Sequence, residues 1–361
     1  MNRVRSIRAA AALASMCAAL AVGCGGGDDG GSSAGPADDD ATAQTVRLLT
    51  YDSFALPEAA AAAFEEQTGS EIEVIAAGDS GTMLTGALLS AGDPEADVIF
   101  GIDDTSASRA VEGDLLDPVA PEVVGSVPER YRPDGAGADL LVPIDTGDVC
   151  MNVDSEWFAA EGIAPPETLE QLTDPAYRDL LVVPSPVTSS PGLAFLIGTV
   201  DRYGEQGWLE YWAQLADNGL RVRPSWDDAY STDYTVSGGD RPIVLSYASS
   251  PPAEVIFSEG ERSAPASTVM LDSCTGQVEF AGVLRGTDRP ELAAELVEFM
   301  LSDAWQRELP LANFVFPVMD VELPEEFSRW ATRAEDPMGL APDVIDENRD
   351  GWIEAWREQM E

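Results

Sequence analysis

The chain has 361 residues, 45% of them hydrophobic, which is enough for one large or two medium domains with a sizeable core. Against 65 Asp and Glu it has 20 basic residues, all of them arginine, and its net charge is −45. Such a charge repels phosphate backbones, so we expect no nucleic-acid partner. Because the sequence contains neither lysine nor histidine, lysine Schiff bases and histidine bases or metal ligands are excluded. A surface adapted to salt would explain the acidity equally well.

Residues 1–23 have the pattern of a secretory signal, with three arginines before an apolar run that is too short to span a membrane. The run ends in Ala21-Val22-Gly23-Cys24, which resembles a bacterial lipobox. Residues 24–44 are rich in Gly, Ser and Asp and predict a flexible tether. We therefore expect an extracytoplasmic protein that is lipid-anchored to the bacterial cell membrane through Cys24. The alternative is an ordinary secretory signal with an incidental cysteine.

Two further cysteines, Cys150 and Cys274, lie in the body of the chain. In an oxidising compartment they could form a disulfide, and two buried free thiols are the alternative. The sequence has no CxxC or Cys/His spacing, so no metal site is predicted.

From residue 45 onward, short apolar strands alternate with helical segments. The first such unit has strands at 46–50, 71–76 and 97–101 with helices at 57–69 and 80–90. This βαβαβ order predicts a parallel sheet covered by helices. A second α/β stretch covers 148–247, and a strand at 277–284 and an amphipathic helix at 290–301 follow. The simplest architecture is α/β with two lobes, in which lobe 1 holds residues 45–144 and 275–361 and lobe 2 holds residues 145–274.

Ligands of such sheets bind outside the carboxyl ends of the strands, where this chain carries polar and aromatic residues. These clusters are Tyr51-Asp52-Ser53, Asp79-Ser80, Asp103-Asp104, Ser189-Ser190 and residues 247–250. We expect them to face a common cleft between the lobes. Asp103-Asp104 is assigned instead to capping a helix that starts at Thr105.

Six motifs follow one another in order between residue 45 and about residue 356. They are LTYDSF at 49–54, ADVIFGID at 96–103, VPIDTG at 142–147, SSPGL at 189–193, WDDAY at 226–230 and VLSYASSP at 244–251. In these motifs the chain resembles the thiamine-binding periplasmic proteins, the substrate-binding components of thiamine ABC importers. The resemblance implies a two-lobed periplasmic-binding-protein-like fold that closes on its ligand, presents it to a permease and performs no catalysis. It also implies a monomer without a cofactor.

The same resemblance implies a set of ligand-binding residues. They are Tyr51, Asp79, Ser80, Ser189, Ser190, Trp226, Tyr247, Ala248, Ser249, Ser250 and Phe314. Aromatic faces suit the cationic thiazolium and the flat aminopyrimidine, and carboxylates suit the charge and the amino group. Backbone amides at the helix start near Ser190-Pro191 could receive a phosphate oxygen, which makes thiamine phosphate a second expected ligand.

The chain departs from the family pattern in two places. Phe314 stands where the family tends to have a tryptophan, and the DTG at 145–147 replaces Asp-Tyr-Gly. The aromatic residues of the predicted site could instead be core residues, and Asp79 could be only a helix cap.

Three other functions remain open. A polyamine receptor of the same fold would suit the acidity, and an iron receptor is disfavoured by the missing histidine. A secreted hydrolase could use paired carboxylates, although the sequence has no Gly-x-Ser-x-Gly motif and only one Asp-Thr-Gly. Asp346, Asn348, Asp350, Gly351 and Ile353 match the first half of an EF-hand loop, but the twelfth position is Arg357 and the resemblance predicts a helix there.

Overall fold

Strands and helices alternate along the chain in the computed structural model, which describes residues 44–133 and 135–360. The strands are β1 (Gln44–Thr50), β2 (Ser70–Ala76), β3 (Val98–Asp103), β4 (Leu116–Asp117), β5 (Val142–Asp154), β6 (Leu181–Pro184), β7 (Arg221–Arg223), β8 (Ile243–Tyr247), β9 (Ser267–Leu284) and β10 (Phe316–Pro317). The helices are α1 (Glu58–Thr68), α2 (Ser80–Leu89), α3 (Ala107–Glu112), α4 (Pro121–Ser126), α5 (Ser155–Glu161), α6 (Ser190–Asp217), α7 (Pro251–Ile256), α8 (Pro290–Phe299), α9 (Asp303–Gln306), α10 (Leu309–Ala312), α11 (Glu325–Ser328) and α12 (Pro342–Met360). Short 3₁₀ turns cover Glu129–Tyr131, Gly135–Gly137, Glu170–Thr173, Pro175–Tyr177 and Thr235–Ser237, and a π-helical turn covers Asp228–Asp233.

The predicted signal peptide, Cys24 and the tether up to residue 43 lie outside the described residues. Gln44, predicted as the last residue of the tether, is the first residue of β1. Among the described helices, none combines the length and the apolar character that a membrane span requires.

The first predicted βαβαβ unit is confirmed. β1 pairs in parallel with both β2 and β3. Helix α1 begins after Pro57 and ends before Gly69, whose φ of 72° lies in the left-handed region that glycine favours. This unit places Tyr51 at the carboxyl end of β1 and Asp103 at that of β3.

The complete sheet is mixed, in the order β2-β1-β3-β9-β5-β8-β6-β7, with β4 on β9 and β10 on β5. The long strand β9 is antiparallel to β3 and β5, and β5 is antiparallel to β8. The parallel sheet predicted for the first unit is therefore confirmed for β1 to β3, and β6 is also parallel to β7 and β8, whereas β5 and β9 run antiparallel to their neighbours. Because these two strands run from one part of the sheet to the other, they link two separate cores.

One core lies around β1, β3 and α8, and another lies around β6, β8 and α6. Helix α12 contributes Ile345, Trp352 and Trp356 to the core around α6, whereas the predicted division assigned residues 275–361 to lobe 1. The lobe boundaries stay a prediction. Since residues 346–357 are helical within α12, they do not form an EF-hand loop.

A disulfide joins Cys150 of β5 to Cys274 of β9. Both cysteines are fully buried and pack with Ala248 in the turn that follows β8. The bond therefore ties the two long strands together near the carboxyl end of β8.

Candidate ligand cavity

A cavity with about 690 Å³ of atom-free space, part of it open to solvent, lies at the carboxyl ends of the strands. Its walls are Tyr51, Ser53, Asp79, Ser80, Ser190, Pro191, Trp226, Tyr230, Tyr247, Ser250, Ala253, Glu279, Asn313, Phe314 and Val315. Eight of the eleven predicted ligand-binding residues are in this set, and both Trp226 and Tyr247 are among them. In the part of the chain that the structure describes, no basic side chain lines the cavity.

The rings of two cavity tyrosines pack directly against glycines of neighbouring strands. A Cβ at Gly101 of β3 would collide with the ring of Tyr51, and a Cβ at Gly147 of β5 would lie 3.0 Å from the ring of Tyr247. The Tyr51 hydroxyl donates to Glu279 Oε2 at 3.2 Å. Burial raises the pKa of both tyrosines, so both phenols are neutral.

Trp226 forms an aromatic wall together with Tyr230. Their rings are stacked, with centroids 4.8 Å apart and planes 12° from parallel. The indole Nε1 donates to Ser246 Oγ at 3.0 Å, and this oxygen also lies 2.8 Å from Ser250 Oγ. The orientation of Trp226 is therefore set by one hydrogen bond and one stacked ring.

Asp79 caps helix α2 and also accepts a hydrogen bond from the backbone of Trp226. Its Oδ1 accepts from the Ser80 amide at the start of α2, and its Oδ2 accepts from the Trp226 amide, both at 2.7 Å. The helix-cap reading is confirmed, but the second bond spans 147 residues of sequence and joins two walls of the cavity. Burial raises the pKa of this carboxyl, and the two amide bonds oppose the rise.

Glu279 and Asp145 are opposite each other on β9 and β5. Only 6% of Glu279 and 1% of Asp145 is exposed, and Asp145 Oδ2 has no hydrogen-bond partner. Burial raises the pKa of Asp145 to about 7. Burial and the Asp145 charge raise the pKa of Glu279 well above its usual value. The site thus contains a buried acid pair that sequence reasoning missed.

Asp103 does not cap the next helix, so that expectation is wrong. Its Oδ1 accepts from the hydroxyls of Thr105 and Ser106, both at 2.7 Å, and α3 starts only at Ala107. Its Oδ2 accepts from Ser190 Oγ and Gln277 Nε2, both at 2.6 Å. Asp103 therefore joins the end of β3 to the start of α6.

A smaller neighbouring cavity shares Ser80 and Ser190 with the first. It is also lined by Ser189, whose buried hydroxyl has no partner, and by Arg109 and Arg349. The amides at this helix start are not free, because that of Ser189 donates to Ser185 and that of Ser190 to Ser80 Oγ. The expected amide contacts to phosphate are therefore wrong for these two residues.

Ala248 and Ser249 are fully buried and lie outside the cavity walls. The Ala248 amide donates to the Asp148 carbonyl, so this turn packs against β5 and the disulfide. Phe314 lines the cavity and packs edge-to-face on Phe257, with centroids 5.5 Å apart.

Sequence reasoning also missed Tyr230 and Asn313, which stand beside residues it did select. Tyr230 lies four residues after Trp226, a spacing that places two side chains on one helical face and could have indicated the pair. Glu279 alternates with apolar residues in a strand pattern and gave no such signal. Within residues 44–133 and 135–360, no group of three or more Cys, Asp or Glu side chains is arranged to hold a metal ion.

Comparisons with known proteins agree with this fold. The thiamine-binding periplasmic protein of Salmonella typhimurium is 29% identical over 314 residues, which cover 85% of this chain and 91% of that protein. A solved periplasmic thiamin binding protein is 26% identical, with a TM-score of 0.74 over 88% of this chain and 97% of its own. Iron-bound HitA from Pseudomonas aeruginosa is 19% identical, with a TM-score of 0.68 over 88% and 99% of the two chains, and shares the fold.

The family model for bacterial extracellular solute-binding proteins matches residues 93–334. This range includes most of the cavity walls, from Ser190 to Val315, and both long strands. The chain belongs to the bacterial extracellular solute-binding proteins.

Proposed function

We propose that this protein is the extracytoplasmic receptor of an ABC importer and that it captures thiamine without chemical change. One observation carries the proposal: the cavity combines aromatic rings with buried carboxyls, and no basic side chain lines it in the described part of the chain. The thiamine-binding names of the relatives support the same ligand.

The cavity walls match the chemistry of thiamine. The stacked pair of Trp226 and Tyr230 offers a flat face to a ring, and such a face attracts a cation electrostatically. Glu279 supplies negative charge for the thiazolium. The hydroxyls of Ser80 and Ser250 are suited to the hydroxyethyl arm.

A phosphate ester of thiamine is the second ligand that we propose. Its phosphate would lie in the smaller cavity, beside the unpartnered Ser189 hydroxyl and the guanidinium groups of Arg109 and Arg349. Arginine is well suited to phosphate because its N–H groups match two oxygens. Titrations with thiamine and with thiamine monophosphate, each repeated on Arg349→Met, test this assignment. Arg349→Met should weaken binding of the monophosphate alone, and an equal effect on both ligands contradicts it.

Several contacts connect the two lobes that the sequence predicts. They are the bonds from the Trp226 amide to Asp79, from the Ser190 amide to Ser80 Oγ and from the Gly81 amide to the Thr188 carbonyl at 3.0 Å. We propose that they form when residues 145–274, with α12 packed against them, close on the remaining elements, and that the closed monomer is the form that the permease recognises.

The membrane anchor is part of the proposal. Lipid on Cys24, followed by a tether, would hold the receptor at the cell surface. Metabolic labelling with palmitate tests it: the full chain should carry label and Cys24→Ala should not. Label on both variants, or on neither, would contradict the anchor.

A polyamine is the competing ligand, favoured by the two acids in the cavity wall. Competition between thiamine and spermidine separates the two. A flat cation uses the stacked aromatic wall and a flexible polyamine does not, so thiamine should displace spermidine, and the reverse order would favour the polyamine receptor. Mass spectrometry of small molecules that purify with the protein gives an independent identification.

A further inference from the structure

Asp145 and Glu279 form a buried acid pair beside the cavity, and Glu279 is part of its wall. As register partners on antiparallel strands, they have Cβ atoms about 5 Å apart. Glu279 lines the cavity and accepts from Tyr51, whereas Asp145 Oδ2 is buried without a partner. Two carboxylates this close cannot both ionise without a compensating positive charge.

The elements around the pair bring further acids toward it. Tyr51 follows β1, Asp103 ends β3, Tyr247 ends β8 and Asp79 precedes α2. The charges of Asp103 and Asp145 act on Glu279, and the charges of the pair act on both tyrosines. On the neighbouring elements, Arg109 and Arg349 share the smaller cavity with Asp103, and Arg333 lies over the Phe316 ring of β10. None of these three arginines lines the ligand cavity.

We propose that Asp145 and Glu279 together act as the counter-ion of a bound organic cation, and that binding of the cation is coupled to release of a proton from this pair. In the empty cavity the pair keeps one proton, and when the cation enters, this proton leaves a carboxyl oxygen for the solvent. The pair then carries one more negative charge beside the bound ring. The inference rests on the proposed function and names the residues that would determine its specificity.

The direction of the pH effect follows from linkage. Burial raises the pKa of Asp145 to about 7, and burial together with the Asp145 charge raises that of Glu279 well above its usual value, so the empty pair holds a proton at neutral pH. Binding then releases a proton, and the association constant increases with pH by up to about tenfold per unit. The increase ends at the pH where the empty pair is already ionised.

The experiment is isothermal titration of the full chain with thiamine in two buffers of different ionisation enthalpy. At about pH 7 the wild type should release close to one proton per thiamine bound, and its affinity should rise between about pH 6 and about pH 8. Glu279→Gln should release fewer protons than the wild type, show a weaker pH dependence and bind roughly 10-fold to 100-fold more weakly at about pH 8. Asp145→Asn should also release fewer protons than the wild type.

Asp148→Asn is the matched control. Asp148 is a buried acid on β5, as Asp145 is, and burial raises its pKa, but it lies outside the cavity walls. It should keep the proton release of the wild type. Thiamine binding without proton release, or an unchanged proton count in Glu279→Gln, overturns the inference. The number of protons that the wild type releases per thiamine bound tests the inference even if a variant fails to fold. Absence of thiamine binding at every pH would instead refute the proposed function.

Discussion

Replacement of Trp226 by alanine tests whether the aromatic wall binds a ligand ring. The substitution removes the indole that stacks on Tyr230 and donates to Ser246, while the backbone bond from residue 226 to Asp79 can persist. A ring or cation contact of this kind is worth about 1 to 3 kcal/mol, so the dissociation constant for thiamine should rise about 5-fold to about 150-fold.

Trp226→Phe separates stacking from hydrogen bonding. It keeps a flat ring but loses the donor to Ser246, whose hydroxyl still has Ser250 as a partner. The loss should therefore be about 0.5 to 1.5 kcal/mol, or up to about tenfold in affinity. The assay is isothermal titration with thiamine, accompanied by thermal melts that confirm folding.

Trp157→Ala is the control for Trp226→Ala. Trp157 is also partly buried and also packs on an aromatic ring, that of Phe158, but it lies outside the cavity walls. It should change stability and leave thiamine affinity within about twofold. If folded Trp226→Ala binds thiamine as the wild type does, Trp226 is a core residue and the reasoning fails.

Three further predictions concern charge and stability. Asp79→Leu should weaken thiamine binding about tenfold and lower the melting temperature, because α2 loses its cap and the Trp226 amide loses its acceptor. Unchanged affinity would show that Asp79 is only a helix cap. The raised pKa of Asp145 means that the folded state binds more protons than the unfolded state between about pH 4 and about pH 7, so ligand-free stability should fall by about 1.4 kcal/mol per pH unit there. Urea titrations should show this fall flattened in Asp145→Asn, and an identical pH profile would contradict the linkage. Changing both Cys150 and Cys274 to serine removes a disulfide between residues 124 apart in sequence and should lower the free energy of unfolding by about 2 to 5 kcal/mol. An unchanged free energy of unfolding would show that the disulfide does not stabilise the fold.

Most of the cavity could be predicted from sequence because its residues follow strands. Tyr51, Asp79 and Tyr247 come directly after apolar runs or before a helix start, and such positions meet at one edge of a sheet. Trp226 follows the short strand β7, and its assignment rested on the family motif.

Glu279 and Asp145 could not be found in this way, since both lie inside long strands. An acid between apolar residues normally marks the exposed face of a strand. Here β5 and the last six residues of β9 are covered on both faces, so the same alternation points Glu279 into the cavity. Only the second half of β9, at 277–284, was predicted as a strand, because the polar residues Asp272 and Ser273 interrupt the apolar pattern of its first half.

The most direct test of the account is a calorimetric titration of the purified full chain with thiamine, using spermidine as the comparison ligand. The account predicts saturable one-to-one binding of thiamine at micromolar protein concentration and much weaker binding of spermidine. No heat of binding with thiamine, or tighter binding of spermidine, would contradict a cavity built for a flat organic cation.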